Sequence, residues 1–304
     1  MLKKYVHKKV TWVDLESPTQ KDAQVLIKEF DIHPLVASEL LSPTRRSRVD
    51  VYDTFTYLIF HFPTILHSHS GATEQEIDFV VGKHFVITAH YEANDSLHEL
   101  SKLFEVDVAL QKKDLGTHAG FLFFYMLRHL YNDAADELNT LDDLLPKIEE
   151  GIFSGKERAM VERISEISKK LLNFKRTILP HREMLESFEF AGKKLYGEDF
   201  VYYLRALSGE HFRLMSLLDG DLETIDELRS TNDSLLNTKT NDTMRTLTVM
   251  AFITLPLSLF ANIFSMNTTI LPIVGLPNDF WIIVGIMVFV TLSFYGYFKY
   301  KKWF

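Results

Sequence analysis

The stretch TLTVMAFITLPLSLFANIFSMN, Thr246–Asn267, decides how this sequence is read, because it holds no charged side chain and is long enough to cross a bilayer. Crossing takes roughly 20 mostly apolar residues, since each helical residue rises about 1.5 Å and the hydrocarbon core is about 30 Å thick. A second such run, FWIIVGIMVFVTLSFYGYF (Phe280–Phe298), follows after a short segment rich in proline and glycine. One run alone is ambiguous with a buried core helix. Two in succession predict a pair of transmembrane helices. Pro256 falls inside the first and is expected to kink it, a break tolerated where neighbouring helices satisfy the freed carbonyl.

Working outward, the flanks set the orientation. Lys239 and Arg245 precede the first run, and Lys299, Lys301 and Lys302 follow the second, while Ser265–Asp279 contains no Lys or Arg. The positive-inside rule places both basic flanks, and so both termini, in the cytosol, with the short loop outside the plasma membrane. Trp281, Tyr295, Tyr297 and Trp303 stand near the two interfaces, as aromatic belts do.

The polar residues of the first run are not scattered. Stepping by seven from Asn241 gives Asn241, Thr248, Leu255 and Asn262; stepping from Met244 gives Met244, Ala251, Ser258 and Ser265. These are the two seam positions of a heptad. Within Leu247–Phe264 only Thr254 among the polar residues lies off them, and the opposite face, with Val249, Phe252, Ile253, Leu257 and Phe260, is apolar. Such a stripe serves either close helix–helix packing or a water-filled pore. Spacing leaves both open. A pore demands several copies in closed symmetry, because two helices enclose nothing.

Upstream the character changes. The 304-residue chain has a net charge of −8, concentrated before the first span, which argues against a nucleic-acid partner. The absence of cysteine removes disulfides and thiolate metal sites. The basic N-terminus, MLKKYVHKKVTWVDL, has no apolar run behind it, so no cleaved signal peptide is expected. Residues 1–115 predict an α/β domain, with strands at Thr11–Val13, Phe55–Phe60, Ile77–Val81 and Phe85–Thr88 and helices at Lys21–Phe30 and Pro34–Leu41. The segment EIDFVVGKHFVITAH reads as a hairpin turning at Gly82-Lys83. Residues 116–197 predict a helical hairpin of two long helices, His118–Glu150 stopping at Gly151 and Lys156–Phe190 with Pro180 as a breaking point. Residues 198–264 predict a stalk helix that continues into the first span, its register kept by Leu214, Leu217, Leu218, Ile225, Leu228 and Leu235. Residues 265–279 then form the external loop, 280–298 the second span and 299–304 a basic cytosolic tail.

The segment NDTMRTLT (Asn241–Thr248), then Leu255-Pro256, then Ser265-Met266-Asn267, then the second span and its basic tail, resembles the CorA family of divalent cation transporters. The resemblance extends upstream through TWVDLESP, Phe30–Leu35 and FVITAH (Phe85–His90). It implies an α/β N-terminal cytosolic domain, long stalk helices and two C-terminal transmembrane helices in a funnel-shaped homopentamer. It also implies that the first span lines the pore, that Mg²⁺ is the transported and a regulatory ion, and that Ser265, Met266 and Asn267 occupy the selectivity position. Mg²⁺ dehydrates reluctantly, so a ring of Asn267 amides suits the outer surface of the hydrated ion, binding without trapping it. Leu255, in mid-stripe, is the candidate gate, with Met244 and Leu247 extending the constriction.

Two positions depart from the family pattern. Ser265 stands where the signature has glycine, and Pro272 is followed by Ile273-Val274-Gly275, so the first acid of the loop is Asp279. Other clusters point elsewhere. His67-x-His69 has metal-ligand spacing but lies in a polar loop with no acid beside it, and reads as surface. Asp133, Asp136, Glu137, Asp142, Asp143, Glu149 and Glu150 form either a solvated helix face or a cation-sensing one. No P-loop, GxSxG or HExxH motif is present, so no enzyme is expected. The leading expectation is a divalent cation channel or transporter. Its rivals are a zinc or other divalent-ion transporter, and a non-conducting oligomeric scaffold or ion sensor.

Overall fold

A computed structural model describes residues 2–64, 73–110, 118–266 and 273–301. It divides into two compact units, Met1–Arg229 and Ser230–Phe304, and one helix runs through the division.

The first unit is built on a six-stranded sheet. Its strands are β1 (Leu2–His7), β2 (Val10–Glu16), β3 (Arg48–Val51), β4 (Phe55–Pro63), β5 (Glu74–Gly82) and β6 (Phe85–His90), in the spatial order β1-β2-β6-β5-β4-β3. Only β2 and β6 pair in parallel; the other neighbours are antiparallel. The hairpin expected at Gly82-Lys83 is present, with Val81 opposite Val86. All nine residues of β4, FTYLIFHFP, are buried, which marks a strand covered on both faces. On one face Tyr57, Ile59, Val80, Ile87, Val13 and Leu15 pack with α1 (Gln20–Phe30) and α2 (Pro34–Glu39). Helix α1 starts where the sequence signals it: the Asp22 carboxylate accepts from the Thr19 N–H at 2.8 Å and its hydroxyl at 2.7 Å.

The other face meets helices. Between residues 118 and 196 the chain forms four helices rather than the two expected: α4 (Gly120–Asp142), α5 (Leu145–Phe153), α6 (Glu157–Ile178) and α7 (His181–Tyr196). Helix α3 (Asp95–Leu110) precedes them and was not anticipated. The chain breaks at Asp143-Leu144, because Pro146 sits in the first turn of α5, where its missing N–H costs nothing. Pro180 does separate α6 from α7. Phe79 meets Phe123 of α4 at 5.3 Å between ring centroids, and Phe123 meets Phe188 of α7 at 4.8 Å. The helical segment and the sheet therefore share one core.

A buried histidine ties these layers together. His181, at the start of α7, donates from Nε2 to the carbonyl of His61 in β4 at 3.0 Å, and its Nδ1 accepts from the Tyr131 hydroxyl of α4 at 3.1 Å. Burial pushes its pKa down from 6.5 to about 3, with His211 adding to the effect, so the ring is neutral and both hydrogen bonds are made. That contribution is complete above pH 6.5 and is lost as pH falls toward about 3. His181→Phe is expected to cost about 2–5 kcal/mol at neutral pH, since it strands two buried polar groups. Thermal unfolding of the full chain checks this, and the deficit should narrow as pH falls from 6.5 toward 3.

A short 3₁₀ turn (Glu198–Phe200) leads into α8 (Val201–Ser265), a single helix of 65 residues, and α9 (Asp279–Tyr300) follows. The stalk and the first span are one continuous helix, as expected. Pro256 lies inside α8 without ending it, and the lost bond falls on the carbonyl of Phe252.

Candidate functional site

The distal half of α8 and all of α9 are long and apolar enough to cross a membrane. In the isolated chain almost none of their apolar side chains is buried, which is unstable in water and expected in lipid. Where the two helices meet, Phe252 contacts Phe298 at 6.2 Å between centroids, and Val249 and Phe298 are both buried. These α8 residues belong to the face read as apolar.

The heptad stripe lies elsewhere. Asn241, Met244, Ala251, Leu255, Ser258, Asn262 and Ser265 are all exposed, and Thr248 is half-buried. Leu255 is 68 % exposed and Met244 62 %, with Leu247 at 57 %. Large apolar side chains so uncovered have no covering neighbour among the described residues. The hydroxyls are held within the helix: Thr248 donates to the Met244 carbonyl at 2.7 Å and Ser265 to that of Asn262 at 2.9 Å. Such internal bonds let a polar stripe stand in an apolar medium at little cost.

At the end of α8, Ser265 is the last helical residue, and it is not among the residues with positive φ. Serine in place of glycine therefore carries no left-handed strain here. Met266 is exposed. Asn267, the residue expected at the selectivity position, lies outside the described residues, as do Pro272, His67 and His69. Asp279, the first acid of the loop, is engaged at the start of α9: its carboxylate accepts from the Gly275 N–H at 3.1 Å and the Phe280 N–H at 2.7 Å. It is the first residue of α9, after the N-cap position Asn278, and these two bonds hold its carboxylate there.

The acidic residues of 133–150 divide by burial. Asp136, Asp142, Asp143, Glu149 and Glu150 are exposed, as a solvated face requires, whereas Glu137 is buried and Asp133 half-buried. Asp133, Asp136 and Glu137 line a cavity of about 270 Å³ together with Asp95 and Glu99 of α3. His129 reaches Asp133 at 3.6 Å and Glu99 at 4.0 Å. Burial raises the Asp133 carboxyl, and the Glu99 and Asp136 charges add to that. Asp221 of α8 is pushed up to about 6 by burial beside Asp142. Glu99, His129 and Asp221 were missed in the sequence, since α3 was not recognised and single acids on a long helix give no signal. Among the described residues no group of three or more His, Asp or Glu side chains is placed to hold a metal ion.

A mixed sheet domain joined by one long helix to a pair of exposed apolar helices defines a membrane-anchored protein with a polar face on its first span. The chain belongs to the CorA-like Mg²⁺ transporter protein family, whose model matches residues 7–301. It is 22 % identical over 294 residues to the cobalt/magnesium transport protein CorA of Thermotoga maritima, covering 96 % of this chain and 83 % of that one. The fold is similar to the complete CorA magnesium transporter structure from Methanocaldococcus jannaschii, with a TM-score of 0.85 at 20 % identity, covering 99 % of this chain and 93 % of that one. It is also similar to the full-length CmaX protein, with a TM-score of 0.74 at 16 % identity, covering 97 % and 89 % of the two chains.

Proposed function

We propose that this chain carries divalent cations, magnesium foremost, across the plasma membrane through a homopentameric pore lined by α8. The observation that carries the reading is the stripe of polar and small residues from Thr248 to Ser265, exposed except for half-buried Thr248 and interrupted on its own face by Leu255. Brought together by five-fold symmetry, that stripe makes a wet conduit. Family membership supports the cargo, and a pore supplied by one helix per copy supports the oligomer.

In this reading residues 1–115 and 116–197 lie in the cytosol, 198–264 form the stalk and first span, and 265–279 the external loop. Residues 280–298 return across the membrane, and 299–304 end in the cytosol. The hydrated ion meets Asn267 amides beside Ser265 and Met266, and its waters are hydrogen-bonded rather than stripped. The membrane potential drives the passage, supplying about 4–5 kcal/mol for a divalent ion at 100 mV. Native mass spectrometry of the detergent-solubilised chain tests the assembly. Pentamers are expected. Only monomers or dimers would remove the pore.

A further inference from the structure

We infer that the membrane-proximal end of α9 is a recognition surface for anionic phospholipid headgroups. The inference goes beyond ion transport and rests only on the two helices crossing a membrane.

Helix α9 carries one acid, Asp279, at its first position, and its basic residues are at the opposite end. Lys299 and Lys301 close it, and neither side chain has an ion pair among the described residues. The Phe252–Phe298 contact fixes their level against α8. Lys299 and Lys301 lie one and three residues beyond that contact. Arg245 lies seven residues before Phe252, about 10 Å along the axis, whereas the two lysines stay within about 5 Å of the level of that contact. Tyr297 and Tyr300 stand out at the same level, 57 % and 86 % exposed. An amphipathic ring beside a free ammonium is the pairing found where hydrocarbon meets headgroups.

Charge complementarity commits the surface to lipid. The chain as a whole is acidic, at −8, yet this level of α9 is cationic and lies where a leaflet's phosphates begin. An ammonium on a flexible stem reaches a phosphate oxygen without moving the helix. Each lysine near an anionic surface strengthens attachment roughly fivefold, so the pair gives about 25-fold.

The full chain in detergent is titrated with short-chain phosphatidylglycerol or phosphatidylcholine, and bound lipid is counted by native mass spectrometry. The wild type should prefer phosphatidylglycerol. Lys299→Gln/Lys301→Gln should lower that preference about 25-fold, and Lys299→Arg/Lys301→Arg should keep it. Inorganic phosphate at matched concentration should displace no lipid. The proposal is overturned if the glutamine variant keeps the full preference, or if inorganic phosphate competes as well as the lipid does. Should the glutamine variant not fold, the wild type decides: its preference must fall as salt rises, and a salt-independent preference overturns the assignment. Ion flux is not the readout, so this test and that of the pore fail separately.

Discussion

Asn267→Ala should abolish divalent-cation flux while the chain still folds and assembles. The amide is small, follows the last residue of α8 by two positions in the sequence, and in the proposed pentamer acts five times over on a single ion. Hydrogen bonds to a charged partner contribute about 1.5–3 kcal/mol each, so even two of them lost across the ring would lower ion occupancy roughly 100-fold. Alanine removes the amide and adds no bulk, which separates loss of recognition from blockage. Flux into vesicles, measured beside native mass spectrometry of the same preparation, checks both halves. A variant that assembles and conducts as before would show that the ion path avoids this ring.

Leu255→Ser should act in the opposite direction and raise basal conductance. Leu255 lies one heptad from Thr248 and one from Asn262, and it is the one large apolar residue in the middle of that stripe. Five such side chains on an axis exclude water from a narrow constriction and stop a hydrated ion by dewetting rather than by charge. Met244 and Leu247, both exposed on the isolated chain, would extend the same constriction below it in the proposed pentamer. Serine wets the ring. Lowering the barrier by about 1.4 kcal/mol already gives a tenfold rise, and inhibition by internal cation should weaken with it. The competing role is packing between copies, in which case the same substitution lowers thermal stability and leaves flux unchanged. That second outcome would end the gate.

How far these residues could be read beforehand follows from what each element depends on. The two membrane helices were legible because length and missing charge are properties of the chain alone, and the stripe on α8 because periodicity is too. The β5–β6 hairpin was legible from its turn and flanking apolar runs. Strand β1 was not: LKKYVH carries two lysines, the pattern of an edge strand that resists further pairing, and it resembles a basic leader. Strand β3, RVDV, is a four-residue edge and too short to show alternation. The helix stop at Gly151 was misplaced, since Gly151 lies inside α5, where a side chain would run into Met160. Its signal was packing, not termination. The cavity at Asp133 and Glu99 joins residues from two helices, and no spacing within either one announces it.

The central claim is that α8 lines a path for divalent cations, and flux across a sealed membrane tests it most directly. The full chain is reconstituted into vesicles loaded with a magnesium-sensitive dye, and an inside-negative potential is imposed. Mg²⁺ uptake should grow with the potential and disappear with Asn267→Ala. Assembled pentamers that admit no Mg²⁺ at any potential would contradict the claim.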